Sequence, residues 1–172
     1  VAKIEQFLKE HPEKPFIFCE YSHSMGNSNG ALFKYTDLAK REPRYQGGFI
    51  WDFIDQAVFK KNEYGESFLA TGGDFNDRPT DYNFCTNGIV FADRTLTTKM
   101  AEVKYCYQPF TIACTPQGFT IRNEFLFTDT TPYSMTATLC KDGVPVAEQE
   151  LSLPVIAPQT AQSFANPFAG IA

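Results

Sequence analysis

"PFIFCEYSHSMGNSNG", residues 15–30, begins as an apolar run, closes that run on a carboxylate at Glu20, and passes into a loop of hydroxyl, imidazole and amide groups. A short continuous apolar run is the mark of a strand buried on both faces, as in parallel sheets. A carboxylate at the end of such a strand is costly unless it is paired or used, because an isolated buried charge loses its hydration. Ahead of the run, "VAKIEQFLKEHPEK" carries Val1, Ile4, Phe7 and Leu8 at helical spacing and stops near His11-Pro12. Behind it, "ALFKYTDLAKR" repeats that spacing with Leu32, Tyr35, Leu38 and Ala39 and stops before Pro43. "YQGGFIWDFIDQ" is then a second buried run. Helix, strand, loop, helix, strand is the alternation of an α/β protein, and right-handed crossovers place both strand ends, with Glu20 and Trp51, on one face.

The 172 residues fit one ordinary domain or two small ones, and 43% hydrophobic with 15% aromatic side chains is ample for a packed core. Fifteen basic against twenty acidic residues leave a net charge of -5, which argues against nucleic acid as a partner. No apolar run approaches the roughly 20 residues that span a bilayer, and the first residues have neither the basic head nor the apolar centre of a signal peptide. The expectation is a soluble, cytoplasmic protein without a membrane partner. A helical stripe that starts at Val1, with no Met or N-cap ahead of it, reads as a chain cut from something longer. The five cysteines are odd in number and lack CxxC spacing, so reduced and mostly buried thiols are expected, not disulfides or a zinc site.

Residues 60 to 94 lose periodicity. A loop this long is functional or disordered, and its aromatic content favours one that wraps a site. Beyond Met100 the pattern turns to β-type alternation. In "FTIRNEFLFTD", Phe119, Ile121, Asn123, Phe125 and Phe127 point one way, and Asp142-Gly143 is a hairpin turn signal. This half reads as an unfinished β-sandwich.

At the C-terminal face of a βα array, a carboxylate on a strand end reads as catalytic, so Glu20 is the leading candidate, with a salt bridge or cap as the plainer reading. Tyr21 and His23 beside it can donate hydrogen bonds to a carboxylate or a sugar hydroxyl, although a lone histidine is more often structural. Trp51, the single tryptophan, offers a flat apolar face and one N–H, which suits the C–H face of a sugar ring. With a loop rich in Asn and Asp, these residues turn the question towards carbohydrate.

The segments "PFIFCEYSHSMGNSNG", "YQGGFIWDFIDQ", "GGDFNDRPTDYNFCTNGIVFADR" and "AEVKYCYQPF" closely resemble the bacterial, lactose-cleaving β-galactosidases of glycoside hydrolase family 2. The resemblance is dense to about residue 110 and weaker beyond. It implies an α/β chain in which residues 1–100 are the last quarter of a (β/α)₈ TIM barrel, holding strands seven and eight. Residues 101–172 are then a linker and an incomplete immunoglobulin-like β-sandwich. Residue by residue, it implies that Glu20 is the nucleophile of a retaining glycosidase and that Tyr21, Ser22, His23, Trp51 and Asn87 lie against the sugar. The main-chain carbonyl of Phe84 and the side-chain oxygen of Asn87 match ligands of a sodium ion. The family's magnesium ligands lie upstream, and Thr80 stands where the family's most familiar member has an Asn linked to a second magnesium ion, so that ion is in doubt. No carboxylate here matches the family's acid/base.

The expected partners are therefore a β-galactoside and the remainder of the same enzyme or a complementary subunit, in an oligomer, with the chain inactive alone. A neighbouring β-glucuronidase or β-mannosidase reading would keep Glu20, but between Lys61 and the closing "ADR" of the long loop Arg78 is the only basic residue, which favours a neutral sugar. The reading of a different class is a non-catalytic sugar-binding or subunit-assembly module, which would tolerate Glu20→Gln.

Overall fold

The computed structural model describes residues 1–171, which fall into two compact units, residues 1–107 and 108–171. The first begins with α1 (Ala2–Glu10), β1 (Phe16–Tyr21), α2 (Phe33–Arg41) and β2 (Tyr45–Ile50), with β1 and β2 paired in parallel as the alternation predicts. Ile4 and Leu8, one turn apart on α1, join Leu38 of α2 and Tyr45 of β2 in a buried core against which Val1, Phe16, Phe18 and Tyr35 pack. Each such aliphatic side chain contributes about 1.5–3 kcal/mol on leaving water. The open carbonyl of Leu8 in the last turn of α1 accepts a 2.7 Å hydrogen bond from Arg44 Nη1, so the helix end is tied to the start of β2.

The structure corrects the expectation that β1 is buried on both faces. Phe16 and Phe18 face the core, whereas Ile17 is 60% exposed and Cys19 and Glu20 are exposed as well. The helices cover one side, and among the described residues β2 is the only strand paired with β1. The register also slips twice. Phe16 pairs with Tyr45, Phe18 with Gly48, and Tyr21 with Ile50. β2 thus carries one extra residue before Gly48, taken up by Gly47 at φ +97°, and β1 carries one extra residue before Tyr21. The second bulge turns Tyr21 inward where simple alternation would have put residue 20, and leaves Glu20 outside.

The expected structureless loop at 60–94 contains a hairpin, β3 (Val58–Lys61) with β4 (Ser67–Ala70), and a 3₁₀ turn at Tyr82–Cys85. Four-residue strands are too short to display a period. The hairpin is closed instead by Asn62, whose Oδ1 accepts from the N–H groups of Tyr64 (3.0 Å) and Glu66 (2.9 Å). A further helix, α3 (Lys99–Cys106), was also invisible to periodicity, because it buries no residue fully and has no apolar stripe. Polar ties hold it: Glu102 accepts from the Leu32 N–H at 3.1 Å, and Thr97, just ahead of it, donates to the Ile89 carbonyl at 2.7 Å.

The second unit is all-β. β5 (Phe110–Thr115), β6 (Gly118–Asn123) and β9 (Ala161–Ala165) form an antiparallel sheet in the order β5-β6-β9, and β7 (Met135–Lys141) with β8 (Val144–Leu151) forms a hairpin. Asp142 (φ 50°) and Gly143 (φ 80°) occupy its turn, both left-handed as a tight two-residue hairpin requires. Phe119, Ile121 and Asn123 lie inward as expected, but the strand stops there and Phe127 is 91% exposed. Asn123 causes the stop: its buried amide donates to the carbonyls of Thr128 (2.9 Å) and Ile156 (3.0 Å) and accepts from the Phe125 N–H (3.0 Å), bending the chain away.

The cysteines also differ from expectation. All five are free, but Cys19, Cys114 and Cys140 are exposed and Cys85 and Cys106 half-buried, since three of them fall on outward-facing strand positions. Among the described residues, no helix is long and apolar enough to cross a membrane.

Candidate active site

The C-terminal ends of β1 and β2 lie side by side. The Trp51 N–H donates to the Tyr21 carbonyl at 3.3 Å, and the Ser24 N–H donates to the Trp51 carbonyl at 2.6 Å. Beyond Trp51 the chain runs alongside Asn87–Val90. Asp52 N–H donates to the Asn87 carbonyl (2.7 Å), Ile89 N–H to the Asp52 carbonyl (2.9 Å), and Val90 N–H to the Phe53 carbonyl (3.1 Å). The approach is close enough to demand glycine at 88, where a Cβ would lie under 3.0 Å from backbone atoms of Ile54, Asp55 and Val90. The Gly88 N–H is taken by the Asp55 carboxylate at 2.7 Å. Asn87 in turn reaches Phe84, its Nδ2 donating to the Phe84 carbonyl at 2.9 Å, and the Phe84 ring stacks on His23 with centroids 5.7 Å apart. A closed circuit therefore runs from Trp51 through Asp52, Asn87, Phe84, His23 and Ser24 back to Trp51.

Within that circuit the residues singled out from sequence take different positions. Glu20 is exposed at the end of β1, and its carboxylate has no hydrogen-bond or ion-pair partner among the described residues. Among the described residues, then, that carboxylate forms no salt bridge or cap of the kind the plainer reading expects. Trp51 is 41% exposed, and His23 and Ser22 are half-buried, Ser22 in the left-handed region at φ 49°. Tyr21 points the other way. It is buried against Tyr35, with ring centroids 4.8 Å apart, and its hydroxyl is hydrogen-bonded to that of Tyr107. Burial first, and then the Tyr107 hydroxyl, push the Tyr21 phenol far above its ordinary pKa. Its side chain supports the strand from behind and does not stand beside the Glu20 carboxylate.

Asn87 is buried, and its Oδ1 has no partner among the described residues, although buried polar atoms are almost always satisfied. That orphan oxygen and the remaining lone pair of the Phe84 carbonyl are neutral, hard donors of the kind a group I cation accepts, so these two residues fit the expected sodium site. Among the described residues no group of three His, Cys, Asp or Glu could hold a metal ion. Asp52, Asp55, Asp74 and Asp77 act as acceptors for Gln56, Gly88, Thr71 and Gly73. The Asp77 carboxyl is held below its ordinary pKa by its own N–H and those of Gly73 and Phe75, with the Thr80 hydroxyl adding to them, which is how a loop without periodicity keeps its shape. Thr80 also accepts from the Tyr82 N–H at 3.2 Å.

Sequence reasoning missed Gly88 and Lys99. The Lys99 ammonium donates to the carbonyl of the fully buried Ser24. It also missed Ser28 and Asn29, whose side-chain Oγ, Oδ1 and Nδ2 are buried in the loop after His23 without partners among the described residues. Their signal was the Asn/Ser richness of that loop; Lys99 had none, since its partner is a main-chain carbonyl 75 residues away.

The model of the TIM barrel domain of the family 2 glycosyl hydrolases matches residues 1–112. The chain belongs to glycoside hydrolase family 2. A second model, β-galactosidase domain 4, matches residues 119–171. Among its relatives are β-galactosidases of Halalkalibacterium halodurans, 50% identical over 91% of this chain, and of Clostridium acetobutylicum, 48% identical over 90%. The β-galactosidase of Streptococcus thermophilus is 54% identical over 83%. The family 2 chain spans 15%, 17% and 14% of the lengths of these relatives, respectively.

Proposed function

We propose that this family 2 chain is part of a retaining β-galactosidase that cleaves terminal non-reducing β-D-galactose from galactosides such as lactose, with Glu20 as nucleophile. The observation that carries the reading is an exposed carboxylate without a partner, held at a bulged strand end beside Trp51 in a chain 48–54% identical to proteins named β-galactosidase. In this reading residues 1–100 are the last quarter of the barrel, residues 101–172 lead into an immunoglobulin-like sandwich, and the complete protein is a cytoplasmic oligomer.

The Glu20 carboxylate attacks the anomeric carbon, the bond to the leaving oxygen breaks, and a galactosyl ester forms. A second carboxyl group about 5–5.5 Å away protonates the leaving oxygen, then takes a proton from the water that hydrolyses the ester. No residue of this chain is assigned that role; it comes from elsewhere in the complete protein. Trp51 lies under the sugar's C–H face, and His23, Ser22 and Asn87 meet its hydroxyls, with Tyr21 contributing through the backbone it fixes. Phe84 and Asn87 would hold a sodium ion, which offers a positive centre to a galactose hydroxyl. Thr80 leaves the second magnesium ion without its expected ligand.

The test is hydrolysis of galactosides by the complete protein and by its Glu20→Gln variant. Loss of turnover with galactoside affinity retained supports the enzyme reading. A variant that turns over like wild type, or a complete protein that binds galactosides without ever cleaving them, refutes it.

A further inference from the structure

Lys99 is in an unfavourable place for a lysine. It is the first residue of α3, where the helix dipole disfavours a cation, and it is half-buried. Burial pulls its pKa down, and the Asp55 carboxylate acts in the opposite direction. Two interactions offset those costs. One is its hydrogen bond to the Ser24 carbonyl, for which Lys99 is the donor found among the described residues. A fully buried carbonyl needs such a donor. The other is the charge of Asp55, whose carboxylate also holds the Gly88 N–H beside Asn87. The same Ser24 donates its N–H to the Trp51 carbonyl at 2.6 Å. Lys99 therefore contacts one half of the circuit, the loop that carries Ser22 and His23, and faces the charge of Asp55, which holds the segment that carries Asn87.

We propose that Lys99 is a positioning residue for galactoside hydrolysis, setting the loop after Glu20 against the Trp51–Asn87 side of the sugar site. The inference rests on the assignment of Glu20 as nucleophile. Lys99 touches no substrate and acts through Ser24 and Asp55. Without the ammonium, the Ser24 carbonyl is left buried and unsatisfied, so the loop shifts to find water, and His23 moves with it.

The test uses the complete protein with Lys99→Met, Lys99→Gln and Lys99→Arg. Formation of the fluorogalactosyl ester on Glu20 from a 2-deoxy-2-fluoro-galactoside gives a maximal rate and a half-saturation concentration, and thermal unfolding is followed alongside. Small misplacements in a site cost up to about a hundredfold, so Lys99→Met and Lys99→Gln are expected to lower the maximal rate and raise the half-saturation concentration about tenfold each. Lys99→Arg, which keeps a charged donor, loses less than Lys99→Met and Lys99→Gln. A merely structural lysine would reduce the folded fraction and leave both constants of the remaining enzyme unchanged; that result overturns the inference. Should Lys99→Met not fold, the contrast between Arg and Gln decides, and equal behaviour of the two overturns it. An active wild-type protein labelled away from Glu20 overturns the nucleophile assignment and this inference together. Wild-type labelling at Glu20 with unchanged Lys99→Met kinetics overturns this inference alone.

Discussion

Gly88→Ala is the substitution whose effect follows most directly from the geometry. The added methyl would sit under 3.0 Å from the Asp55 nitrogen, the Val90 oxygen and the Ile54 carbonyl carbon, all backbone atoms that cannot swing aside. The two segments must separate, which draws their hydrogen bonds, now an ordinary 2.7 to 3.1 Å, beyond the usual range. Losing two of them at about 1 kcal/mol each agrees with the usual cost of overpacking, about 1–3 kcal/mol. Alanine also restricts the unfolded chain, which returns about 0.4–1 kcal/mol. The net is a local destabilisation of about 1–2 kcal/mol between residues 52–55 and 87–90. In a large enzyme this scarcely moves global unfolding, so the assay is amide hydrogen exchange of Ile89 and Val90 in the complete protein, together with KM for a galactoside. Exchange about tenfold faster and a raised KM are expected. Gly30→Ala, where a Cβ meets nothing within 4 Å, is the control and should change neither. Wild-type exchange and KM in Gly88→Ala would refute the argument that close backbone approach holds Asn87 in place.

Two further perturbations test the framework behind the site. The raised pKa of Tyr21 means that folding favours its neutral form, so its contribution is fully present below the unfolded value of about 10 and is lost as pH rises towards the folded value. Alkaline titration of tyrosinate absorbance should show Tyr21 ionising only as the unit opens, and Tyr107→Phe should lower the pH at which it does; an unchanged titration contradicts this. Asn123→Leu removes the three hydrogen bonds that turn the chain after β6 and should cost about 2–4 kcal/mol locally, read as faster exchange of the Phe125 amide. Unaltered protection at Phe125 would show that the turn does not depend on Asn123.

The parallel β1–β2 pair, its two helices and the Asp142-Gly143 turn were legible because each rests on local pattern: apolar spacing, a strand-length run, or a dipeptide that accepts positive φ. The bulge before Tyr21 was not, because it is a property of two strands in register, and alternation along one strand cannot report it. The hairpin at Val58–Ala70 and helix α3 escaped for a related reason, being held by polar ties and not by an apolar face. At the site, Glu20, His23, Trp51 and Asn87 stood out by residue type and motif. Gly88 and Lys99 did not, since each meets main-chain atoms far away in the sequence, which only the folded chain brings near.

The central claim is that Glu20 attacks the sugar. The most direct measurement is peptide-level mass spectrometry of the complete protein after exposure to a 2-deoxy-2-fluoro-galactoside with a good leaving group. The account predicts one fluorogalactosyl adduct, on Glu20, formed as activity is lost. An active enzyme that is inactivated with the label on any other residue would contradict it.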